Sequence, residues 1–269
     1  MSGWAFRAAA ALVVVTALPL VWMLLASVTP ESRLFEPAAL WRGPFVLDHY
    51  RALFEERNFW VPIRNSLVVA GTTTLFAVTL GGGCAYALAR MHFRGRYLIL
   101  AFVLAVSMFP QISLVAPLYL LLREAGLINT YPGLILPYLT FAMPLTIWLL
   151  VGYFRQLPRD VEDAAAMDGA GRLRTLVEIV APLAWPGIAT TAILTFVYCW
   201  NEFLFALSFT LGPERHTVPV AIALFRGQYQ VPWGQILAAA AVATLPVVLL
   251  VVLFQRRISE GLTAGAVKG

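Results

Sequence analysis

The sequence predicts an all-α membrane protein, with six transmembrane helices and a charged hairpin of cytoplasmic helices between the fourth and the fifth. Three observations predict it. Of 269 residues, 60% are hydrophobic and only 12% charged, at a mean hydropathy of +0.79; that is more apolar surface than one water-exposed domain of this size could bury. Six stretches are long enough to cross a hydrocarbon core of about 30 Å, which takes roughly 20 helical residues at about 1.5 Å each. Arginine also gathers in connections close to two of those stretches, in one of them without any acid, as the positive-inside bias requires of cytoplasmic loops.

The first stretch, 8–28, follows Arg7. It is long for the apolar region of a signal peptide and no small-x-small cleavage site follows, so it is read as a retained helix. In the segment 29–65, Arg33, Arg42, Arg51, Arg57 and Arg64 are accompanied by Glu31, Glu36, Asp48, Glu55 and Glu56. This segment reads as a folded outer loop with a short surface helix near Leu47–Phe54. It either caps the membrane domain or meets an extracytoplasmic partner. The second stretch, 66–89, contains Gly81, Gly82 and Gly83, small residues that allow close helix packing or bending. "RMHFRGR" follows with Arg90, Arg94 and Arg96, then the third and fourth stretches, 97–122 and 133–153. A connection spans 154–186, the last stretches are 187–211 and 235–254, and the tail 255–269 carries Arg256, Arg257 and Lys268. Six spans and two basic cytoplasmic loops put both termini inside. Pro110, Pro117, Pro137, Pro144 and Pro246 are expected to interrupt their helices, which membrane helices tolerate. The chain 1–269 is treated as one transmembrane domain.

The connection holds the stretch "PRDVEDAAAMDGAGRLRTLVEIVAPLAWPG", residues 158–187. Pro158 suits a first helical position, where its missing N–H is not needed, and Asp160, Glu162 and Asp163 favour the positive end of the helix dipole. Gly169 and Gly171 offer a stop. From Arg172, Leu173, Leu176, Val177 and Val180 recur at the spacing of one helix face, until Pro182. Such a hairpin could lie on the lipid surface, but interfacial helices carry a basic polar face. Here Asp160, Glu162, Asp163, Asp168 and Glu178 slightly outnumber Arg155, Arg159, Arg172 and Arg174. Mixed charge favours a protein partner.

Within the membrane, Glu202 is flanked by Tyr198, Trp200 and Asn201, and an intramembrane acid faces a polar cavity or a partner. Amides, a carboxylate and aromatic faces suit a sugar, and Gln111 and Tyr138 add to the set. The alternative for Glu202, Gln111 and Tyr138 is hydrogen bonding between helices. Cys84 and Cys199 lie in different apolar stretches and His49, His92 and His216 are scattered, so neither a metal site nor a proton relay is expected. With so few charges in apolar company, nucleic-acid binding is not expected either. No G-x4-G-K-S/T phosphate loop occurs, since the sole lysine, Lys268, is followed by Gly269. A proton-coupled secondary transporter would usually need more intramembrane acids than Glu202, and a membrane enzyme would need convergent catalytic groups.

Asp163-Ala164-Ala165, Gly169, Ile179 and Pro182 resemble the EAA-x3-G-x9-I-x-L-P signature of permease subunits in binding-protein-dependent ABC importers. Asp163 replaces Glu and Ala181 replaces Leu. "WNEFLFALSF" from Trp200 and "GLTAGAVKG" from Gly261 resemble the carbohydrate branch of maltose/trehalose type. The resemblance implies that the hairpin is a coupling helix docking into a cytoplasmic ATPase dimer through Glu162, Asp163, Ala164, Ala165, Asp168, Gly169, Ile179 and Pro182. It implies a tail reaching the ATPase through Gly261, Leu262 and Thr263, although that stretch has too little apolar periodicity for a helix and otherwise reads as loose. It further implies a second homologous permease subunit, an extracytoplasmic sugar-binding protein, and a substrate pathway involving Tyr198, Asn201, Glu202, Gln111 and Tyr138. ATP and Mg would then belong to the partner ATPase, with no cofactor on this chain. The implied role is that of a non-catalytic, multi-pass subunit of the cytoplasmic (inner) membrane that imports a di- or oligosaccharide such as trehalose or maltose. A secondary transporter or other polytopic membrane protein, or an ABC permease for a non-sugar solute, is the alternative.

Overall fold

The computed structural model describes residues 3–36, 38–225 and 231–266, with the backbone alone from 256 onward. Regular structure among the described residues is helical throughout: α1 Gly3–Ser27, α2 Ala39–Arg42, α3 Asp48–Arg51, α4 Trp60–Arg90, α5 Arg96–Ser107, α6 Gln111–Glu124, α7 Tyr131–Gln156, α8 Asp160–Met167, α9 Arg172–Thr175, α10 Ala181–Leu183, α11 Trp185–Trp200, α12 Leu204–Phe209, α13 Val218–Ala223 and α14 Trp233–Ala266. Among the described residues four helices are long and apolar enough to cross a membrane, namely α1, α4, α7 and the Trp233–Gln255 part of α14. The number rises to six if each of two bent pairs is one span.

The bends correct the expected continuous spans. The stretch 97–122 is broken, because α5 and α6 meet at 92°. Pro110 sits at the break as the N-cap of α6; it has no N–H to carry the helix through. The stretch 187–211 divides at Asn201–Phe203 into α11 and the short α12. The other prolines do not interrupt. Pro117, Pro137, Pro144 and Pro246, with Pro19, all lie inside continuous helices.

The main core gathers Leu53, Phe59, Leu134, Tyr138, Phe205 and Phe209 between α4, α7 and α12, and a second core gathers Ala85, Leu88, Leu150, Phe154 and Val180 near the connection 154–186. Close packing of α4 on α7 depends on Gly81, where a Cβ would come within 3.3 Å of Thr146 and 3.4 Å of Ile147. The Thr146 and Thr195 hydroxyls, 2.9 Å apart and buried, tie α7 to α11. By contrast α1 buries only Ala26 and Ser27, and its exposed Leu12, Val15 and Leu18 suit a hydrocarbon surrounding.

The segment 29–65 is folded, as expected, and α3 continues as a π-turn over Ala52–Glu56. Its ties run to the last helix. Both Glu31 carboxylate oxygens accept backbone N–H groups at the start of α14, from Trp233 at 3.0 Å and Gly234 at 2.8 Å. Arg57 donates to Gln235 at 2.6 Å. Gly234 has no room for a Cβ between His49 and Glu31.

Candidate functional site

The connection between α7 and α11 folds as helix, turn, helix. Pro158 lies two residues before α8 rather than inside it. Leu157 ahead of it is extended, the conformation a following proline imposes, and Arg159 takes the N-cap. Asp160, Glu162 and Asp163 occupy the first turn. At the other end Gly169 adopts φ 79°, its N–H bonds the carbonyl of Ala166 at 3.1 Å and that of Ala170 bonds Ala165 at 2.9 Å. This paired closure needs a left-handed residue, which glycine supplies without strain. Gly171, the other expected stop, is extended at φ −72°, a conformation open to any residue. The second helix is composite: α9, a π-turn Leu176–Val180, then α10. Pro182 sits in the first turn of α10, and the chain swings through 84° only at α11. On the predicted apolar face Val180 is buried, but Leu173 is 74% and Val177 60% exposed. They border a cavity of about 790 Å³ that also touches Gly82, Gly83, Pro182 and Trp185.

Helical turning at 3.6 residues splits the predicted contact residues between two faces. Asp163, Ala164, Asp168 and Gly169 are exposed, as is Pro182, and Ile179 is half-buried. Met167, which the sequence reading passed over, is 86% exposed beside them. Ala165 is buried within its own chain at 5%, so its small size serves internal packing rather than close approach by a partner. Glu162 also turns inward. Its Oε1 lies 2.8 Å from Arg90 Nε, with side-chain exposures of 16% and 6%, and Tyr86 donates its hydroxyl to Oε2 at 3.0 Å. Arg90 further donates to the carbonyl of Leu157 at 2.7 Å. Sequence reasoning counted Arg90 only as a topology charge; the available signal was its spacing of four from Tyr86, which sets both on one helix face.

The intramembrane residues gather around the α11–α12 break but do not form one wall. Gln111 at the α5–α6 break donates to the Tyr198 hydroxyl at 2.5 Å. Asn201 is exposed, bonds the carbonyl of Val197 in its own helix at 2.8 Å, and borders a cavity of about 590 Å³ with Trp200, Pro219 and Thr244. Glu202 is buried, and its carboxylate accepts the N–H groups of Phe205 at 2.8 Å and Ala206 at 3.1 Å. Those are orphan donors at the start of α12. Tyr138 is 1% exposed, with its hydroxyl 3.5 Å from the Glu202 carbonyl. Gly261, Leu262 and Thr263 correct the expectation of a loose tail, because α14 continues through Ala266. A helix already begun extends without a new nucleation step. Lys268 and Gly269 lie outside the described residues.

The model of the family described as "Binding-protein-dependent transport system inner membrane component" matches residues 77–263, which include the whole connection and the intramembrane cluster. The chain belongs to this family of transport permeases. Within it, the chain is 42% identical over 254 residues to the trehalose/maltose transport system permease protein MalG of Thermococcus litoralis, covering 93% of this chain and 91% of that one. It is 45% identical over 254 residues to the trehalose transport system permease protein SugB of Mycobacterium tuberculosis, covering 94% and 92%. A solved bacterial ABC transporter involved in alginate import superposes at a TM-score of 0.75 and 20% identity, covering 94% of this chain and 95% of that one. That likeness concerns the fold. This permease is therefore a membrane-embedded component with a transporter architecture.

Proposed function

We propose that this permease is one half of the translocation pathway of an ATP-driven importer for a disaccharide or oligosaccharide of the trehalose/maltose class. Near end-to-end identity of 42% and 45% with permeases named for those sugars carries the reading. In it the chain is a single transmembrane domain of six spans, the bent α5–α6 pair and α11 completing the four long helices, with both termini cytoplasmic. The connection 154–186 is then a coupling hairpin. Its exposed Asp163, Ala164, Met167, Asp168 and Gly169 meet a cytoplasmic ATPase dimer, with Ile179 and Pro182 shaping the return, and ATP and Mg stay on that partner. The backbone around Gly261, Leu262 and Thr263 forms a second ATPase contact. A homologous permease closes the pathway along Asn201, Tyr198 and Gln111, while Glu202 and Tyr138 hold the turn behind them. A binding protein delivers sugar from the far side.

Such a device works only if ATP and sugar each favour one conformation over another. Packed helices move as bodies, so closure of the ATPase on the hairpin tilts the helices joined to it. The test is reconstitution with the ATPase, the second permease and the binding protein, scored by ATP hydrolysis across a panel of sugars. Sugar-loaded binding protein should stimulate hydrolysis. Accumulation driven by a proton gradient without any ATPase would overturn the reading.

A further inference from the structure

The helix α8 is held to the rest of the chain by little apolar packing, since Ala165 is its only buried residue. Its firm attachment is polar. Glu162 reaches Arg90 at 2.8 Å and accepts the hydroxyl of Tyr86 at 3.0 Å. Arg90 is the last residue of α4, and Tyr86 lies one turn before it. The guanidinium also holds the Leu157 carbonyl at 2.7 Å, where α7 ends, and the Tyr86 ring meets Phe154 of α7 edge-on at 6.2 Å. One sheltered charge pair thus joins the ends of α4 and α7 to α8. Arg174 and Glu178, at the same 2.8 Å, are 67% and 57% exposed, a setting in which ion pairs contribute little.

The far end of α4 is fastened as well. Asn65 donates to the backbone carbonyls of Glu214 at 3.0 Å and His216 at 2.9 Å, and accepts from Tyr131 at 2.8 Å. Ser66 accepts the N–H of Val218 at 2.8 Å. With 31 residues in one helix, α4 spans about 46 Å at about 1.5 Å per residue.

We propose that α4 is a transmission rod, latched to α8 by Arg90, Glu162 and Tyr86 and to the loop Gly212–Val218 by Asn65 and Ser66, so that the two faces of the permease move together. Arg90 is a positioning residue here: it sets α8 against α4 without meeting any substrate. The proposal rests on the reading of α8 as an ATPase-docking helix, and its test separates the two. Wild-type permease that neither retains the ATPase on purification nor responds to sugar-loaded binding protein would sink the docking reading itself. Given wild-type behaviour, Arg90→Gln is expected to retain the ATPase but to lose at least about tenfold of the stimulation by loaded binding protein. Tyr86→Phe should lose part of it. The exchanged pair Arg90→Glu with Glu162→Arg should recover several-fold over Arg90→Gln at unchanged ATPase retention, which ties the stimulation to the pairing of the two charges. Wild-type stimulation in Arg90→Gln would overturn the rod. So would a loss of stimulation fully matched by loss of the ATPase, because the pair would then be only a folding contact.

Discussion

The acid at the break between α11 and α12 shows how much a single side chain can do for the backbone around it. Glu202 takes two N–H groups that α12 cannot satisfy internally, and a buried donor left without a partner costs its desolvation. Replacing it by alanine should destabilise the protein by about 2 kcal/mol, read as a lower thermal midpoint in detergent, with sugar preference unchanged. A changed preference at unaltered stability would return Glu202 to the pathway. At the Gly212–Val218 loop, burial holds the His216 imidazole below its ordinary value of 6.5, opposed by the Glu214 carboxylate. The Asn129 amide holds Glu214 below its ordinary 4.5. Both depressed groups stabilise the loop at neutral pH. His216 loses its contribution as pH falls below 6.5 through its folded value, and Glu214 loses its own only below 4.5. Hydrogen exchange at Val218, corrected for intrinsic rate, should therefore quicken as pH falls below 6.5, and His216→Gln should abolish that dependence. The same acceleration in the variant would assign it elsewhere.

Among the elements, α4 and α7 form the frame on which both polar clusters hang. Their contact at Gly81 is tight even for a Cβ, at 3.3 Å from Thr146 and 3.4 Å from Ile147, so Gly81→Leu should cost about 1–3 kcal/mol through overpacking. A thermal midpoint equal to that of the wild type would show that α7 can yield. The position was legible as a glycine run, although only Gly81 of the three is tightly packed, with Gly82 in ordinary contact and Gly83 in open space. Long apolar helices were legible because hydropathy accumulates over twenty residues. Their interruptions were not. Proline marks a break only where nothing else satisfies the freed carbonyls, and Pro110 breaks a span while Pro117, seven residues on, does not. In the hairpin, Gly169 was legible from the need for a left-handed stop. The inward turn of Glu162 was not, because its partner Arg90 lies 72 residues earlier and single-sequence periodicity is blind to such pairs.

For the whole molecule, composition fixed the solvent and the arginine pattern suggested the orientation, while the family match covers 77–263, leaving the first helix and the segment 29–65 outside it. That early segment is nonetheless bound to the end of the chain. Glu31 meets Trp233 and Gly234 across separations of 202 and 203 residues. At a synthesis rate of about 5–20 residues per second, a nascent chain waits about 10–40 s between making the acceptor and making its donors. During that interval Glu31 lacks its donors, and the start of the segment has local bonds such as Val46 N–H to Val28 at 2.7 Å and Arg33 to Glu36 at 3.2 Å. The ribosome thus delivers the clasp last, and a chain released before Trp233 leaves Glu31 without the donors that fasten its segment.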